Sequence, residues 1–253
     1  MSHPAPPPPP AAQDEPRSVE SRVEDDARPV IERLREDLIF GTWQPGERLR
    51  PQAMRERYGT TASVLREHLL RLSGEGLVAL EEQRGFSAIR PDAQSFFEVR
   101  HLRLLLECEG ARLSIRNGDL EWEAELAAAH HKLAHIEHRM RDSNDLRAHI
   151  EMWSRHDQAF HTALLAACGS DLLLREHARV YERFRLHVVA ELRSWGYRGI
   201  VNVEEHGAIL EAALARDPAA CCAALDAHLA IYRNRDPRPV DPLPAPQTLS
   251  ETA

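Results

Sequence analysis

The sequence predicts a mainly α fold in which an N-terminal winged helix-turn-helix precedes an all-α bundle of six helices. Hydrophobic residues recur at helical spacing over most of the chain. Near the N-terminus, a short helical run, a glycine and a second helical run come before a small segment with strand character. The length of 253 residues, with 43% hydrophobic and 28% charged residues, suffices for one large domain or two ordinary ones.

The composition excludes a small disulfide-stapled scaffold and a membrane-spanning chain. Stretches without Asp, Glu, Lys or Arg, outside the proline runs, reach thirteen residues, as in Gln158–Ser170, and nine in Leu38–Gly46, whereas a membrane helix needs ~20 apolar residues. The first thirty residues lack the apolar region of a secretory signal, so we expect a cytoplasmic protein. The cysteines show no CxxC spacing, and we expect all four to be reduced core thiols: Cys108, Cys168, Cys221 and Cys222.

Composition also divides the chain into segments. Residues 1–27 are rich in proline and acids and 236–253 are rich in proline, so both are predicted to be disordered because they cannot bury enough apolar surface. Between them, residues 28–91 are predicted to form the winged helix-turn-helix and residues 92–235 the helical domain.

In the N-terminal domain, a first helix is predicted from Pro29 to Gly41, because proline suits a first turn and glycine a helix end. A short helix over 51–58 is broken by Gly59, and a third helix starts near Thr61. Its apolar positions follow helical spacing and are predicted to be buried: Leu65, Leu69 and Leu72. Two short strands, 77–80 and 86–89, are predicted to flank a glycine-containing wing.

From Asp92 onward, long amphipathic patterns predict the six helices of the bundle. Their breaks fall at residues typical of turns, among them Gly118, Gly169 and Asp217, which precedes Pro218. The predicted helices span about 93–116, 120–141, 145–168, 171–193, 203–216 and 218–235.

The candidate DNA-contacting residues follow from the way a helix enters the major groove. With the leucines of the third helix buried, its Thr61, Ser63 and Arg66 face outward; Thr61 could instead cap the helix, and Arg66 could be a solvated or Glu-paired charge. Arg84 and Gly85 occupy the tip of the wing, where an arginine can reach phosphate or the minor groove. A further phosphate candidate precedes the second helix: Arg50.

A metal site is predicted from helical arithmetic. Asp157 and His161 are four residues apart and therefore share a helix face. His206 and His228 each lie eleven residues from Asp217, so two antiparallel helices joined there return both rings to one level, about 16 Å from the turn. Three imidazoles and one carboxylate suit Zn first, with Ni, Cu, Fe or Mn as alternatives. These histidines could instead be ordinary residues among the fourteen in the chain.

Several segments together resemble the GntR family of bacterial transcription regulators, in its FadR-type branch with an all-helical FCD effector domain. Ala62 and Val64 stand where family members usually place Arg and Pro. The segments that carry the resemblance are Ile39–Leu49, Tyr58–Val78, Gln83–Phe86, Val99–Leu113, Asp157–His161, Glu205–Leu210 and Asp226–Leu229.

The resemblance implies a homodimeric regulator that binds a pseudo-palindromic operator and responds to a small carboxylate metabolite at the metal. Arg103 matches the family's opening arginine and could pair with the metabolite's carboxylate; the alternative is an ion pair with Glu107. A different function is a metal-dependent hydrolase or oxygenase that uses an open metal position. We expect no enzyme, because there is no HExxH motif and His156 and Gln158 flank Asp157 instead of a free acid.

Overall fold

The structure, a computed structural model, describes residues 28–141, 147–195 and 202–230. The segments predicted to be disordered, 1–27 and 236–253, lie outside these residues. The elements, in chain order, are α1 (Val30–Ile39), β1 (Arg48–Leu49), α2 (Pro51–Tyr58), α3 (Ala62–Gly74), β2 (Val78–Glu81), β3 (Gly85–Ala88), α4 (Ala93–Asn117), α5 (Leu120–Arg141), α6 (Arg147–Leu165), α7 (Asp171–Trp195), α8 (Asn202–Leu214) and α9 (Pro218–Ala230). The predicted mainly α class is confirmed.

The N-terminal unit is a winged helix-turn-helix whose α3 packs through three leucines that are fully buried, as predicted: Leu65, Leu69 and Leu72. Its antiparallel sheet has three strands in the order β1-β3-β2, not two. The prediction missed β1 because a strand of two residues is too short to show an alternating pattern. This strand is defined by its pairing with β3, in which Arg48 lies opposite Ser87 and Leu49 opposite Phe86.

The C-terminal unit consists of the helices α4 to α9. Asp92 caps α4 by accepting a hydrogen bond from the Ser95 N–H at 2.8 Å. Asp217 caps α9 by accepting from the N–H groups of Ala219 and Ala220. α6 ends at Leu165, three residues before its predicted end, and α8 ends two residues early, so the predicted helices were slightly too long there.

Helix α7 belongs to both hydrophobic cores. Phe184 and Val188 are buried with the bundle helices, while Leu186 and Val189 are buried with the apolar residues of the winged helix-turn-helix. The side chains of one helix therefore complete two cores, which couples the two units mechanically. α7 is therefore a direct structural link between the bundle and the winged helix-turn-helix.

The prediction of four reduced thiols is wrong for one pair. Cys108 of α4 and Cys222 of α9 form a disulfide, whereas Cys168 and Cys221 are buried free thiols. The absence of CxxC spacing did not exclude this bond, because it joins residues 114 positions apart on helices that pack side by side, with a Cα–Cα distance of 5.0 Å.

Across the three described ranges, no helix combines the length and the apolar character needed to cross a bilayer.

Candidate functional site

Four side chains from three helices converge inside the bundle. α6 contributes Asp157 and His161, α8 contributes His206, and α9 contributes His228. One possible ligand atom from each lies within 4.8 Å of the others, and all four residues are buried. Three nitrogens and one oxygen at this spacing can surround a single divalent cation.

The turn between α8 and α9 accounts for half of this convergence. Because Asp217 ends the turn and starts α9, the two helices run antiparallel, and the ring centroids of His206 and His228 lie 4.5 Å apart. The ring of His161 lies 5.5 Å from each of them. Phe160 packs edge-on against His161 and His206, with centroids 5.3 Å away, and restricts both rings.

Each histidine has a carboxylate facing its Nδ1 atom. Such a partner orients the ring, selects the tautomer and leaves Nε2 as the nitrogen that can bind a metal. Neither ring nitrogen of His161 makes a hydrogen bond among the described residues, although its Nδ1 faces the Glu107 carboxylate. The Nδ1 to carboxylate-oxygen distances are 3.2 Å for His161 with Glu107, 3.1 Å for His206 with Glu137, and 3.0 Å for His228 with Glu205.

The carboxylate of Asp157 is held from its other side. The hydroxyl of Tyr181 on α7 donates to its Oδ2, while its Oδ1 lies 3.2 Å from Nε2 of His206. Trp153 donates from its indole nitrogen to Glu137, at 3.3 Å. One oxygen of Asp157 is therefore directed at the cluster by the other oxygen's hydrogen bond.

Burial and neighbouring charges shift the pKa values of the three histidines in different directions. Burial lowers the pKa of His161 to about 3 and that of His228 well below its ordinary value, so both rings are neutral with free lone pairs. Burial also opposes the charged form of His206, but hydrogen bonds to Asp157 and Glu137 outweigh it and raise the His206 pKa to about 9. The carboxylates of Asp157 and Glu137 therefore favour positive charge at the position of His206.

The buried charges favour a divalent cation. Three carboxylates, those of Glu107, Glu137 and Asp157, are almost completely buried around the rings. Among their described contacts, one guanidinium offsets them, that of Arg103. Burying an unbalanced charge costs roughly several kcal/mol per ion. A divalent cation at the cluster would therefore compensate the excess negative charge of the carboxylates.

Arg103 makes the ion pair considered as the alternative to a role in effector binding. Its Nε donates to Glu107 Oε1 at 2.7 Å, and its guanidinium lies between the rings of Tyr181 and Phe184, 4.4 and 4.3 Å from their centroids. Its two terminal nitrogens are buried and have no hydrogen-bond partner within the part of the chain that the structure describes. Burial raises the pKa of Asp157, but the hydrogen bond from His206 and the charges of His161, His206 and Arg103 together hold that pKa below its ordinary value. The residue therefore combines the ion pair with two unused donors.

The groups behind the ligands were not predicted from the sequence, although hairpin arithmetic could have located one. Asp157 and Tyr181 each lie twelve residues from Gly169, which forms the turn between α6 and α7. This symmetry places the phenol beside the carboxylate just as Asp217 places the two histidines. The remaining orienting groups have no comparable signal in the sequence: Glu107, Glu137 and Glu205.

The DNA-contacting candidates lie on the exposed surface of the winged helix-turn-helix. Thr61 is the N-cap of α3 and accepts from the Val64 N–H at 3.3 Å, so its capping role is present. Arg66 is exposed, with its guanidinium 6.0 Å from the ring centroid of Phe86 at the base of the wing. The other two exposed candidates on the helical side are Ser63 and Arg50, the latter at the N-cap of α2.

The wing itself projects an exposed arginine. Arg84 is 73% exposed and donates to Glu81 at 3.3 Å, a surface pair that phosphate can replace at little cost. Gly85 follows it with φ near +76°, a left-handed conformation that favours glycine, and a Cβ there would meet no atom within 4 Å. Backbone conformation, not crowding, therefore explains this glycine.

A winged helix-turn-helix joined through a shared helix to a bundle with a buried polar cluster defines a DNA-binding regulator with an effector domain. The chain belongs to the GntR family of bacterial regulatory proteins: residues 27–87 match that family and residues 98–231 match the FCD domain. The resemblance drawn from the sequence is thereby confirmed, as is the expectation that the chain is a transcription regulator and not an enzyme.

Relatives and solved structures agree with this assignment. The chain is 34% identical over 205 residues to BphR, an uncharacterized HTH-type transcriptional regulator of Paraburkholderia xenovorans, covering 79% of this chain and 80% of BphR. It is 32% identical to the HTH-type transcriptional repressor GlaR of Escherichia coli, covering 78% of this chain and 89% of GlaR. A GntR regulator structure from Rhodococcus sp. RHA1 shares the fold, with a TM-score of 0.66 and 24% identity, over 81% of this chain and 95% of that one.

Proposed function

We propose that this regulator binds a divalent metal at Asp157, His161, His206 and His228, and that a small carboxylate metabolite at the metal modulates its binding to an operator. The observation that carries the proposal is the convergence of four buried ligand atoms within 4.8 Å, with a carboxylate behind every histidine. Three nitrogens and one oxygen favour zinc, and Ni, Mn or Fe would also fit.

The effector's chemistry is inferred from Arg103. Its two unused nitrogens can donate in parallel to a carboxylate, and burial makes such a pair selective for a planar anion. Four protein ligands leave one or two positions open in five- or six-coordinate geometry. A carboxylate that binds the metal and Arg103 together would satisfy both groups.

The operator is proposed to be pseudo-palindromic and to be bound by a homodimer. A two-fold pair of winged helices reads two equivalent half-sites. Leu102 and Leu105, three residues apart on α4, are 44% and 41% exposed and offer apolar area for pairing two copies. Sedimentation of the wild type and of a Leu102→Asp, Leu105→Asp variant tests this: the pair of aspartates should shift a dimer to monomer. A monomeric wild type would contradict the proposed dimer.

Arg185 of α7 supplies a route from the metal site to DNA. It donates to Ser154 at 2.8 Å and Gln158 at 3.3 Å on α6 and to Glu182 at 2.8 Å on α7, and it reaches Glu36 of α1 at 3.2 Å. Gln158 adjoins the metal-ligand candidate on α6. A shift of α6 on ligand binding would therefore be transmitted to α1.

The relative GlaR is named a transcriptional repressor. This name supports repression as the sign of regulation in this chain.

The test combines metal, effector and operator. An operator selected from random duplexes should bind the purified chain with a steep salt dependence, since phosphate contacts release counterions. Zinc should raise the melting temperature, and a panel of small carboxylic acids should raise it further only with zinc present. No metal-dependent stabilisation would contradict the metal site, and absence of salt-sensitive duplex binding would contradict the operator.

Arg66 offers a test of DNA contact, with Arg71 on the same helix as its matched control. Arg66→Ala should weaken operator binding about 5- to 150-fold, while the melting temperature stays nearly constant because the side chain is exposed. Arg71→Ala, on the same helix but paired with Glu75, should change affinity little. Equal affinities for the two variants would remove Arg66 from the contact surface.

A further inference from the structure

The Cys108–Cys222 disulfide connects the two helices that enclose one side of the candidate metal centre. Cys108 directly follows Glu107, the carboxylate that faces Nδ1 of His161. Cys222 lies on α9, the helix that carries His228. α4 and α9 pack along each other, so the bond fixes their separation beside the cluster.

The two classes of cysteine differ in accessibility. Cys108 and Cys222 are half-buried. Cys168 and Cys221 are almost completely buried. Burial also raises the pKa of Cys221 to about 12, which keeps that neighbour a thiol and prevents it from attacking the adjacent disulfide. The half-buried pair is therefore the better placed of the two for exchange with solution thiols, without rearrangement onto the buried cysteines.

We propose that Cys108 and Cys222 form a reversible dithiol/disulfide pair that tunes the affinity of the adjacent site for its metal. This rests on the proposed function, because it assigns redox regulation to the same metal centre. Oxidation by a small-molecule disulfide proceeds by two exchanges. One cysteine thiolate attacks the reagent's disulfide, releasing one thiol and forming a mixed disulfide; the second thiolate then displaces the other reagent thiol. Two electrons pass to the reagent, and both cysteine protons end on the released thiols.

The physical effect is pre-organisation of the site. With the bond intact, α4 holds Glu107 at its distance from His161, and α9 holds its histidine near the other rings. Reduction removes a cross-link that closes a span of more than a hundred residues, and cross-links of that size restrict the unfolded chain strongly. The reduced form gains freedom at the α4–α9 contact, and we expect it to bind metal more weakly.

The experiment uses the full chain equilibrated with oxidised or reduced glutathione and then freed of reagent. The denatured chain should show two free thiols after oxidation and four after reduction, and peptide mapping should identify Cys108 with Cys222. The oxidised form should melt about 5 to 15 °C higher. Chelator competition should show zinc bound roughly 10- to 100-fold more tightly by the oxidised form, the range that misplaced orienting groups produce.

Cysteine variants distinguish the effect of the Cys108–Cys222 disulfide from reactions of the other thiols. Cys108→Ser should behave like the reduced form under both conditions, and Cys222→Ala should do the same if the first variant folds poorly. Cys221→Ala, which changes the neighbouring thiol, should keep the full redox difference. Four free thiols after oxidation, or equal zinc affinity in the two forms, would overturn the proposal. If neither form binds zinc, the metal centre of the proposed function fails as well, whereas the thiol count still reports on the bond itself.

Discussion

At the scale of single residues, the orientation of each imidazole depends on the carboxylate behind it. Glu205 is the most accessible of these groups, with 30% of its side chain exposed, and hydrogen-bonds Nδ1 of His228 at 3.0 Å. Its substitution therefore disturbs the interior less than a change at a fully buried carboxylate. Glu205 is therefore the most suitable residue for testing the carboxylates that face the histidines, the outer carboxylates, separately from the proposed metal ligands.

We expect Glu205→Ala to weaken zinc binding about 10- to 100-fold, because His228 loses the partner that fixes its tautomer and ring orientation. Glu205→Gln should have an intermediate effect, since an amide oxygen still accepts the hydrogen bond. Competition with a chelator measures both. Glu211→Ala, an exposed position on the same helix, is the control; equal affinities for the two alanine variants would show that the outer carboxylate has no role.

The buried His187 leads us to expect that the folded protein loses stability in acid. It is 4% exposed, stacks on Phe96 and lies 3.5 Å from the Ser95 hydroxyl. Burial lowers its pKa to about 4, while Asp92 raises it and Arg183 lowers it further. The unfolded chain, with an imidazole pKa of about 6.5, binds more protons between these values. Stability should therefore be complete above pH 6.5 and fall by on the order of 3 kcal/mol as the pH drops to about 4.

Urea unfolding at pH 7 and pH 4.5 would measure this contribution, and His187→Gln should make the difference between the two pH values smaller. The exposed His131 on α5 gives the comparison: His131→Gln should leave the acid sensitivity as in the wild type. If both variants lost stability with pH as steeply as the wild type, another group would be responsible.

At the scale of helices and strands, packing between α4 and its neighbours leaves no room at Gly110. A Cβ there would lie 2.6 Å from Cγ of Leu165 and 3.1 Å from Cδ2 of Leu173. Gly110→Ala should therefore lower the free energy of unfolding by about 1 to 3 kcal/mol through overpacking. Gly74→Ala, at the end of α3 with no atom within 4 Å of the new Cβ, should be neutral or stabilising. Thermal melts of the two variants distinguish them, and similar losses in both would contradict the packing argument.

Elements with long periodic patterns were predictable from the sequence. The bundle helices, the buried leucines of α3 and the turn at Asp217 all follow from spacing and turn chemistry, which depend on local sequence. The hairpin at Asp217 also placed His206 and His228 at one level, and their rings lie 4.5 Å apart.

Contacts between distant segments were not predictable in this way. The disulfide of Cys108 and Cys222 depends on how α4 packs against α9, which no local pattern encodes. The two-residue strand β1 exists through its pairing with β3. Glu137 approaches His206 because α5 packs against α8, and a glutamate on a helix otherwise resembles a solvated charge.

At the scale of the whole molecule, regulation requires the bundle to influence the winged helix-turn-helix through their junction. Glu36 of α1 joins it to α6 and α7, pairing with Arg185 at 3.2 Å and Arg155 at 3.6 Å. Glu36→Gln removes these ion pairs and leaves the contacts of Arg185 within the bundle. We expect zinc affinity to change less than about twofold, while the effect of zinc on operator affinity shrinks, because coupling of roughly 1 to 3 kcal/mol depends on such contacts.

Operator titrations with and without zinc measure this coupling directly. Glu176→Gln is the matched control, since Glu176 pairs with Arg179 on the surface of the same bundle and should leave the zinc effect intact. An undiminished zinc effect in Glu36→Gln would show that the two units communicate through other contacts.

X-ray absorption at the metal edge of the zinc-loaded protein tests the central claim most directly, namely that four side chains from α6, α8 and α9 surround one cation. The account predicts one zinc per chain, with nitrogen and oxygen neighbours at about 2.0 to 2.2 Å and imidazole outer-shell scattering. Loss of this signal should follow His228→Ala. Sulfur neighbours at about 2.3 Å, or no stoichiometric zinc, would contradict it.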